Sequence, residues 1–228
     1  MTIRSIPILF IGGSGLPAWI WDDVRHHLGD RPGDRVAAHP ASGVRASLNE
    51  YVDAAIESAP AGKFLIVAHS SGGVIAAEVA RRVPERVEGL LAVSAVIPAP
   101  GRSFIRDVPI PNRWILSVTM RLMGTRPPAS AIRRGLAHGL PEEITGRVIE
   151  EFVPESSRLY LDRTGTGPWE IKRGYLFTTA DRELPLKLQQ QSAQRLGATW
   201  TAELPTGHLP MIEDPQGMAG AVVRFLGE

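Results

Sequence analysis

The sequence predicts an α/β architecture, a mostly parallel central sheet flanked by helices on both faces. Three observations carry this. Short aliphatic or β-branched runs of strand length alternate with amphipathic stretches of helix length. The runs are apolar nearly throughout, as in strands buried on both faces. The chain has 228 residues, 43% hydrophobic and 21% charged, which suits one domain with a sizeable core or one domain carrying a small insertion.

Taken in order, the elements are strand Pro7 to Ile11, helix Ala18 to Leu28, strand Arg35 to His39, helix Ser47 to Ser58 and strand Phe64 to Ala68. A helix from Gly73 to Val83 follows, in which Val74, Ile75, Val79 and Val83 recur at three-to-four spacing and form an inward stripe. Strand Val87 to Ser94 comes next. The rhythm then breaks. From about Pro98 to Lys172 there is no strand pattern, but helical spacing in Trp114 to Met123 and around Glu142 to Phe152. A structureless loop of that length inside a compact domain is improbable, so residues 98–172 read as an inserted helical lid. The alternation resumes with strand Tyr175 to Ala180, helix Leu186 to Leu196, strand Thr199 to Leu204 and helix Gln216 to Leu226. The expected division is a core of residues 1–97 and 173–228 with the lid between.

Composition removes several classes of function. With 25 Lys and Arg against 24 Asp and Glu, the chain lacks the basic footprint of a nucleic-acid binder. It has no cysteine, which excludes disulfides, thiolate catalysis and Cys-ligated zinc, and fits a reducing compartment. The apolar run Ile6 to Ile11 follows Arg4 but spans only about six residues and ends in Gly12-Gly-Ser-Gly15 without a cleavage site, unlike a signal peptide. No stretch approaches the ~20 apolar residues of a membrane span. The expectation is a cytoplasmic protein that acts on a small molecule, with no membrane or nucleic-acid partner; oligomeric state is not legible.

The chemistry concentrates in Lys63-Phe-Leu-Ile-Val-Ala-His-Ser-Ser-Gly-Gly-Val74, an apolar strand running into a tight turn and then at once into a helix. This is the small-x-Ser-x-small nucleophile elbow, with Ala68 in place of the first glycine. The nucleophile, Ser70, sits on a strained strand-to-helix turn, so the residues two before and two after it must be small. The helix that follows aims backbone N–H groups at developing negative charge. The bland alternative, a glycine-rich turn with an incidental serine, does not explain why strand, turn and helix occur in register.

On these residues the chain resembles the α/β-hydrolase superfamily, and more closely its plant-type methylesterase and hydroxynitrile lyase branch. The resemblance rests on the elbow, on Ala18-Trp-Ile-Trp21, on Ile97-Pro-Ala-Pro-Gly-Arg-Ser103 and on Gly207-His-Leu-Pro-Met-Ile212, and covers most of the chain outside the lid. A serine nucleophile needs a base, and the base an orienting acid, which in this fold follow in the order Ser, acid, His. His208 lies in a loop between the last strand and the last helix, flanked by Gly207 and Pro210. Asp181 directly follows the strand ending at Ala180, at the carboxyl edge where the sites of such sheets gather, and matches the family's Thr/Gly-x-x-Asp-x-x-x-Pro pattern. Glu183 and Asp214 are the back-up acids. In this scheme Ser70 attacks a carbonyl, His208 moves the proton and Asp181 fixes the imidazole tautomer.

One oxyanion donor is the N–H of Ser71, immediately after the nucleophile. Resemblance aligns Gly12-Gly13-Ser14 with the family's His-Gly-x, which makes the Ser14 N–H the second and leaves Gly12 where a histidine is common. Cyanohydrin-cleaving relatives carry Thr at the Gly13 position and Lys at the Leu209 position, so lyase activity is not expected. An aspartate nucleophile is absent too. The expected function is hydrolysis of a carboxylic ester through an acyl-enzyme, without cofactor or metal. Trp19, Trp114, Met120, Leu122 and Met123 form an expected apolar entrance, with Gly13, Trp19, Trp114 and Leu209 as substrate-binding residues. A non-hydrolytic enzyme on the same fold, kept open by Gly12, or a receptor with a silent triad, are the alternatives.

Other motifs fail on context. Gly13-Ser-Gly-Leu-Pro-Ala18 matches a dinucleotide fingerprint, but no acid ends the second strand, which closes on Ala38-His39-Pro40. His26 and His27 are adjacent and cannot share a helix face as metal ligands, while His39 and His138 lack partners at ligand spacing. The pairs Arg81-Arg82 and Arg133-Arg134 read as solvated helix faces.

Overall fold

The computed structural model describes residues 6–29, 31–107, 110, 114, 120, 124–167 and 169–227. Six strands, β1 (Ile8–Ile11), β2 (Arg35–Val36), β3 (Phe64–His69), β4 (Val87–Val93), β5 (Lys172–Thr178) and β6 (Trp200–Leu204), form one sheet in the order β2-β1-β3-β4-β5-β6. Every neighbouring pair is parallel. Parallel neighbours need crossovers, and helices supply them. These are α1 (Asp22–His27), α2 (Leu48–Ser58), α3 (Gly72–Arg82), α8 (Leu186–Leu196) and, closing the chain, α10 (Pro215–Gly227). The short helices α4 (Phe104–Asp107), α5 (Ala129–Arg134), α6 (Glu142–Glu150) and α7 (Arg158–Leu161) lie between β4 and β5, and α9 (Pro210–Glu213) precedes α10.

Both faces of the sheet are covered, and side chains divide between them with the two-residue period of a strand. Ile8 and Phe10 of β1 pack with Val24 of α1 and with Met218, Val222 and Phe225 of α10. Leu9 and Ile11 face the opposite core, with Val52 of α2, Val74 and Val79 of α3 and Leu196 of α8. A one-residue slip in β1 would exchange the two sets, so the register is strongly fixed. From β1 the chain moves outward to β2, then returns to place β3 on the other flank of β1. The loops leaving the carboxyl ends of β1 and β3 therefore diverge and open a crevice.

The element order matches the sequence expectation, with local differences. The first expected helix splits into a 3-10 turn, Ala18–Trp21, followed by α1, and this turn carries Ile20 and Trp21 into the core. Strand β5 starts at Lys172 and stops at Thr178, because the N–H groups of Thr179 and Ala180 turn to the carbonyls of Leu204 and Thr206. The segment between β4 and β5 contains helices and, among its described residues, no strand. Of the expected helix Trp114 to Met123, only Trp114 and Met120 are described, both helical, and Leu122 and Met123 lie outside the described residues. Arg81 departs from the solvated-face expectation: its guanidinium stacks on Trp169, 4.1 Å from the ring centre, and pairs with Glu78. Among the described residues no helix is long and apolar enough to cross a membrane.

Candidate active site

Strand β3 delivers Ser70 at the edge of the crevice, and α3 begins two residues later. Ser70 has φ +53°, a left-handed conformation that a non-glycine residue rarely holds without surrounding support. The support is close packing. A methyl group at Gly72 would stand 2.5 Å from the Gly12 carbonyl oxygen and 2.7 Å from that of Ile11. One at Gly13 would stand 2.7 Å from the Ser70 Cβ. The β1 turn and the elbow are thus in backbone contact, and the small residue two after Ser70 is what allows it. Gly72→Ala is expected to destabilise the fold by about 1–3 kcal/mol, from overpacking against backbone that has nowhere to relax. Its turnover should fall as well, because the β1 turn must shift; thermal melting and steady-state rates check both.

Three side chains from three strand ends meet at this point. His208 Nε2 lies 3.0 Å from Ser70 Oγ, and His208 Nδ1 lies 2.7 Å from Asp181 Oδ2. Asp181 is fully engaged: Oδ2 also accepts from Ser94 Oγ at 2.5 Å and from Thr178 Oγ1 at 3.0 Å, while Oδ1 accepts the N–H groups of Glu183 and Leu184 at 2.8 Å each. Burial alone would raise its carboxyl, but the hydrogen bond and charge of His208, with the Ser94 hydroxyl and the Leu184 N–H, outweigh it and hold the group at about 2. An ionised Asp181 fixes the proton on His208 Nδ1 and leaves Nε2 as an acceptor facing the Ser70 hydroxyl.

The His208 loop is clamped from below. The carbonyl of His208 accepts from His69 Nε2 at 2.7 Å, and the Gly207 N–H donates to Glu213 Oε2 at 2.8 Å. His69 is fully buried beside Ser70, and burial pushes its imidazole down to about 3, so it stays neutral and serves as a donor. Sequence reasoning places neither His69 nor Ser94 in the site. A polar residue ending the otherwise apolar strand β4 was the available signal for Ser94, and position inside the elbow was the signal for His69. The back-up acid Asp214 is used elsewhere, accepting the Gly217 N–H at 2.8 Å near the start of α10, and Glu183 stands on the cleft wall.

At the proposed oxyanion corner the Ser71 N–H has no acceptor among the described residues. The Ser14 N–H, expected as the second donor, is already engaged: it donates to Ser71 Oγ at 2.7 Å. Ser14 Oγ lies 2.5 Å from Ser71 Oγ and accepts from the Tyr160 hydroxyl. Behind Ser14 lies Glu155, 6% exposed, with Oε1 3.5 Å from His39 Nδ1 and Oε2 without a hydrogen-bond partner. His39 thus has an acidic neighbour that local sequence spacing could not reveal. It lines, with Gly12, Tyr51 and Glu155, a small hollow behind the β1 turn.

Burial pushes the Glu155 carboxyl up from 4.5 to about 7, against the lowering effect of Ser14 and the Gly15 N–H. The folded protein therefore binds this proton more tightly than the unfolded chain. That stabilisation is complete below about pH 4.5 and is lost as pH rises through about 7. Glu155→Gln is expected to be more stable than the parent above pH 7 by on the order of 1–3 kcal/mol, with the difference shrinking toward pH 4.5; urea unfolding at several pH values measures it.

A cleft of about 1140 Å³, counted with its open mouth, reaches Ser70, Ser71 and His208. Its walls are mainly apolar, from Phe104, Met120, Pro127, Ile132, Leu136 and Phe152, with Ser14, Tyr160, Arg126 and Glu183 as polar points. The four residues expected to bind substrate are not on these walls. Gly13 is packed behind Ser70. The Trp19 indole donates to Glu151 at 2.7 Å and lies under Arg147, which draws it to the protein surface. Trp114 is 64% exposed, and Leu209 is fully buried in the core beneath. Of the expected entrance residues, Met120 does line the cleft. Among the described residues no group of three His, Cys, Asp or Glu side chains is placed to hold a metal ion.

A strained serine and a histidine within its reach, both on the wall of an apolar cleft, with an ionised aspartate behind the histidine, form a set able to carry out acyl transfer. Comparison with known proteins points the same way. Residues 8–221 match the model of the family described as "Alpha/beta hydrolase family". The "Probable esterase PIR7A" of Oryza sativa subsp. indica is 25% identical over a 256-residue alignment that covers 95% of this chain and 95% of that protein. An extracellular alpha/beta-hydrolase from a Paenibacillus species, described as sharing structural and functional homology with Tobacco Salicylic Acid Binding Protein 2, superposes with a TM-score of 0.85 at 19% identity, covering 98% of this chain and 100% of that one. The methylesterase MES16 from Arabidopsis gives a TM-score of 0.74 at 17% identity, covering 96% of this chain and 98% of that one. These two structural likenesses speak to the fold.

Proposed function

We propose that this chain, which belongs to the alpha/beta hydrolase family, is a serine hydrolase that cleaves a carboxylic ester of a small, partly hydrophobic molecule. The observation that carries the reading is the chain of contacts from Ser70 Oγ to His208 Nε2 at 3.0 Å and from His208 Nδ1 to Asp181 Oδ2 at 2.7 Å, opening on an apolar cleft. Ser70 Oγ attacks the ester carbonyl as His208 Nε2 takes its proton. Asp181 holds the resulting imidazolium, and the Ser71 N–H faces the oxygen that becomes negative. His208 returns the proton to the departing alcohol and leaves an acyl group on Ser70, which water then attacks with His208 again as base.

The similarity to a probable esterase over nearly the whole chain supports ester hydrolysis. Residues 98–172 act in this reading as a cap over a core of residues 1–97 and 173–228, since Phe104, Met120 and Phe152 from that segment furnish much of the cleft wall. Apolar walls favour neutral acyl and alcohol groups. The test is a panel of esters assayed side by side. Aromatic and mid-chain neutral esters are expected to be turned over fastest; far faster turnover of a charged short-acid ester would contradict the substrate assignment.

A further inference from the structure

We propose that the Ser71 hydroxyl is itself an oxyanion donor, so that Ser71 contributes both its N–H and its O–H to the oxygen that becomes negative when Ser70 attacks, with Ser14 and Tyr160 as positioning residues. This rests on the ester-hydrolase reading above. Ser71 Oγ occupies the acceptor position of the Ser14 N–H, at 2.7 Å, so it stands where that N–H would otherwise meet the substrate oxygen. The arrangement interposes a hydroxyl between the Ser14 N–H and the reacting carbonyl.

In the proposed arrangement the hydroxyl chain runs from Tyr160 through Ser14 to Ser71. Tyr160 gives its single hydrogen to Ser14 Oγ. Either hydroxyl can donate in the 2.5 Å contact between Ser14 Oγ and Ser71 Oγ, and in the proposed arrangement Ser14 is the donor. Ser71 Oγ thus accepts twice, from the N–H and from the hydroxyl of Ser14, and its own hydrogen is left to point elsewhere. All three side chains border the cleft that reaches Ser70 and His208, so the free hydrogen has that cleft to point into. Ser71 is only 3% exposed, and an O–H that already accepts two hydrogen bonds is polarised into a stronger donor. The same contacts explain why the Ser71 side chain makes no cap to its own helix: it is recruited toward β1 instead.

The discriminating experiment compares an ester with its thionoester, in which sulfur replaces the carbonyl oxygen and accepts hydrogen bonds poorly. Wild type, Ser71→Ala and Tyr160→Phe are assayed on the pair, with melting temperatures measured alongside. Ser71→Ala is expected to lower kcat for the ester by about 100-fold with KM little changed, and to reduce the ester-over-thionoester preference by a similar factor. Tyr160→Phe keeps the ring, and with it the packing, and is expected to shift the preference in the same direction by a smaller factor. A structural role alone would slow both substrates equally. An unchanged preference in an active Ser71→Ala variant, or a rise in its kcat, would overturn the proposal, the first marking Ser71 as a brace and the second as a plug in the oxyanion site. Failure of folded wild type to hydrolyse either substrate would instead contradict the ester-hydrolase reading, and the Ser71 role with it.

Discussion

Ser70→Ala is expected to lower ester turnover by at least about four orders of magnitude, and His208→Ala to be comparably severe. Each removes one half of a single event. Without the hydroxyl there is no covalent acceptor for the acyl group; without Nε2, 3.0 Å from Ser70 Oγ, its proton has no base. Members of such a unit are non-additive, so the double variant should be scarcely slower than either single one. The fold should tolerate the serine change well, because alanine removes one oxygen at a residue whose positive φ is strained with either side chain. A melting temperature near that of the parent, with turnover reduced by at least about four orders of magnitude, is the predicted pair of readings.

Asp181→Asn is expected to cost about three to four orders of magnitude in kcat and, unlike Ser70→Ala, a good deal of stability. The reason is in its partners. Every recorded contact of the carboxylate is with a donor: His208 Nδ1, Ser94 Oγ and Thr178 Oγ1 on one oxygen, two backbone N–H groups on the other. An amide NH2 must face donors whichever way it is turned. Placed on the Oδ2 side it favours the wrong imidazole tautomer; placed on the Oδ1 side it opposes two backbone N–H groups that are fixed by the turn. Buried donors left unpaired in this way cost about 1–3 kcal/mol each. Near-parental rates would mean that another acid orients His208. Glu183, on the cleft wall, would be the first to replace.

Much of this architecture was written locally in the chain. The alternation of apolar runs and amphipathic helices is a local signal, and so is the elbow, because strain at Ser70 and the need for a small residue at Gly72 arise within five residues of one another. Asp181 is legible because it follows a strand at the carboxyl edge of the sheet, and His208 because the family resemblance puts its histidine after the acid, in the Gly207-His-Leu-Pro210 block. What escaped was side-chain traffic between distant segments. Glu155 meets His39 across 116 positions of chain, and Tyr160 reaches Ser14 across 146, with no spacing rule linking them. The cleft walls escaped for a related reason. Aromatic character suggested Trp19 and Trp114, yet Trp19 is drawn outward by Glu151 and Arg147, and the walls are built from Phe104, Phe152 and the Pro127 turn, whose placement depends on how the short helices pack.

The central claim is that Ser70 is an activated nucleophile, and intact-mass analysis after exposure to a fluorophosphonate probe tests it most directly. A single stoichiometric adduct mapped to Ser70 in the wild type, and absent from Ser70→Ala and His208→Ala, is the predicted result. No adduct on folded wild-type protein, or an adduct undiminished in His208→Ala, would contradict it.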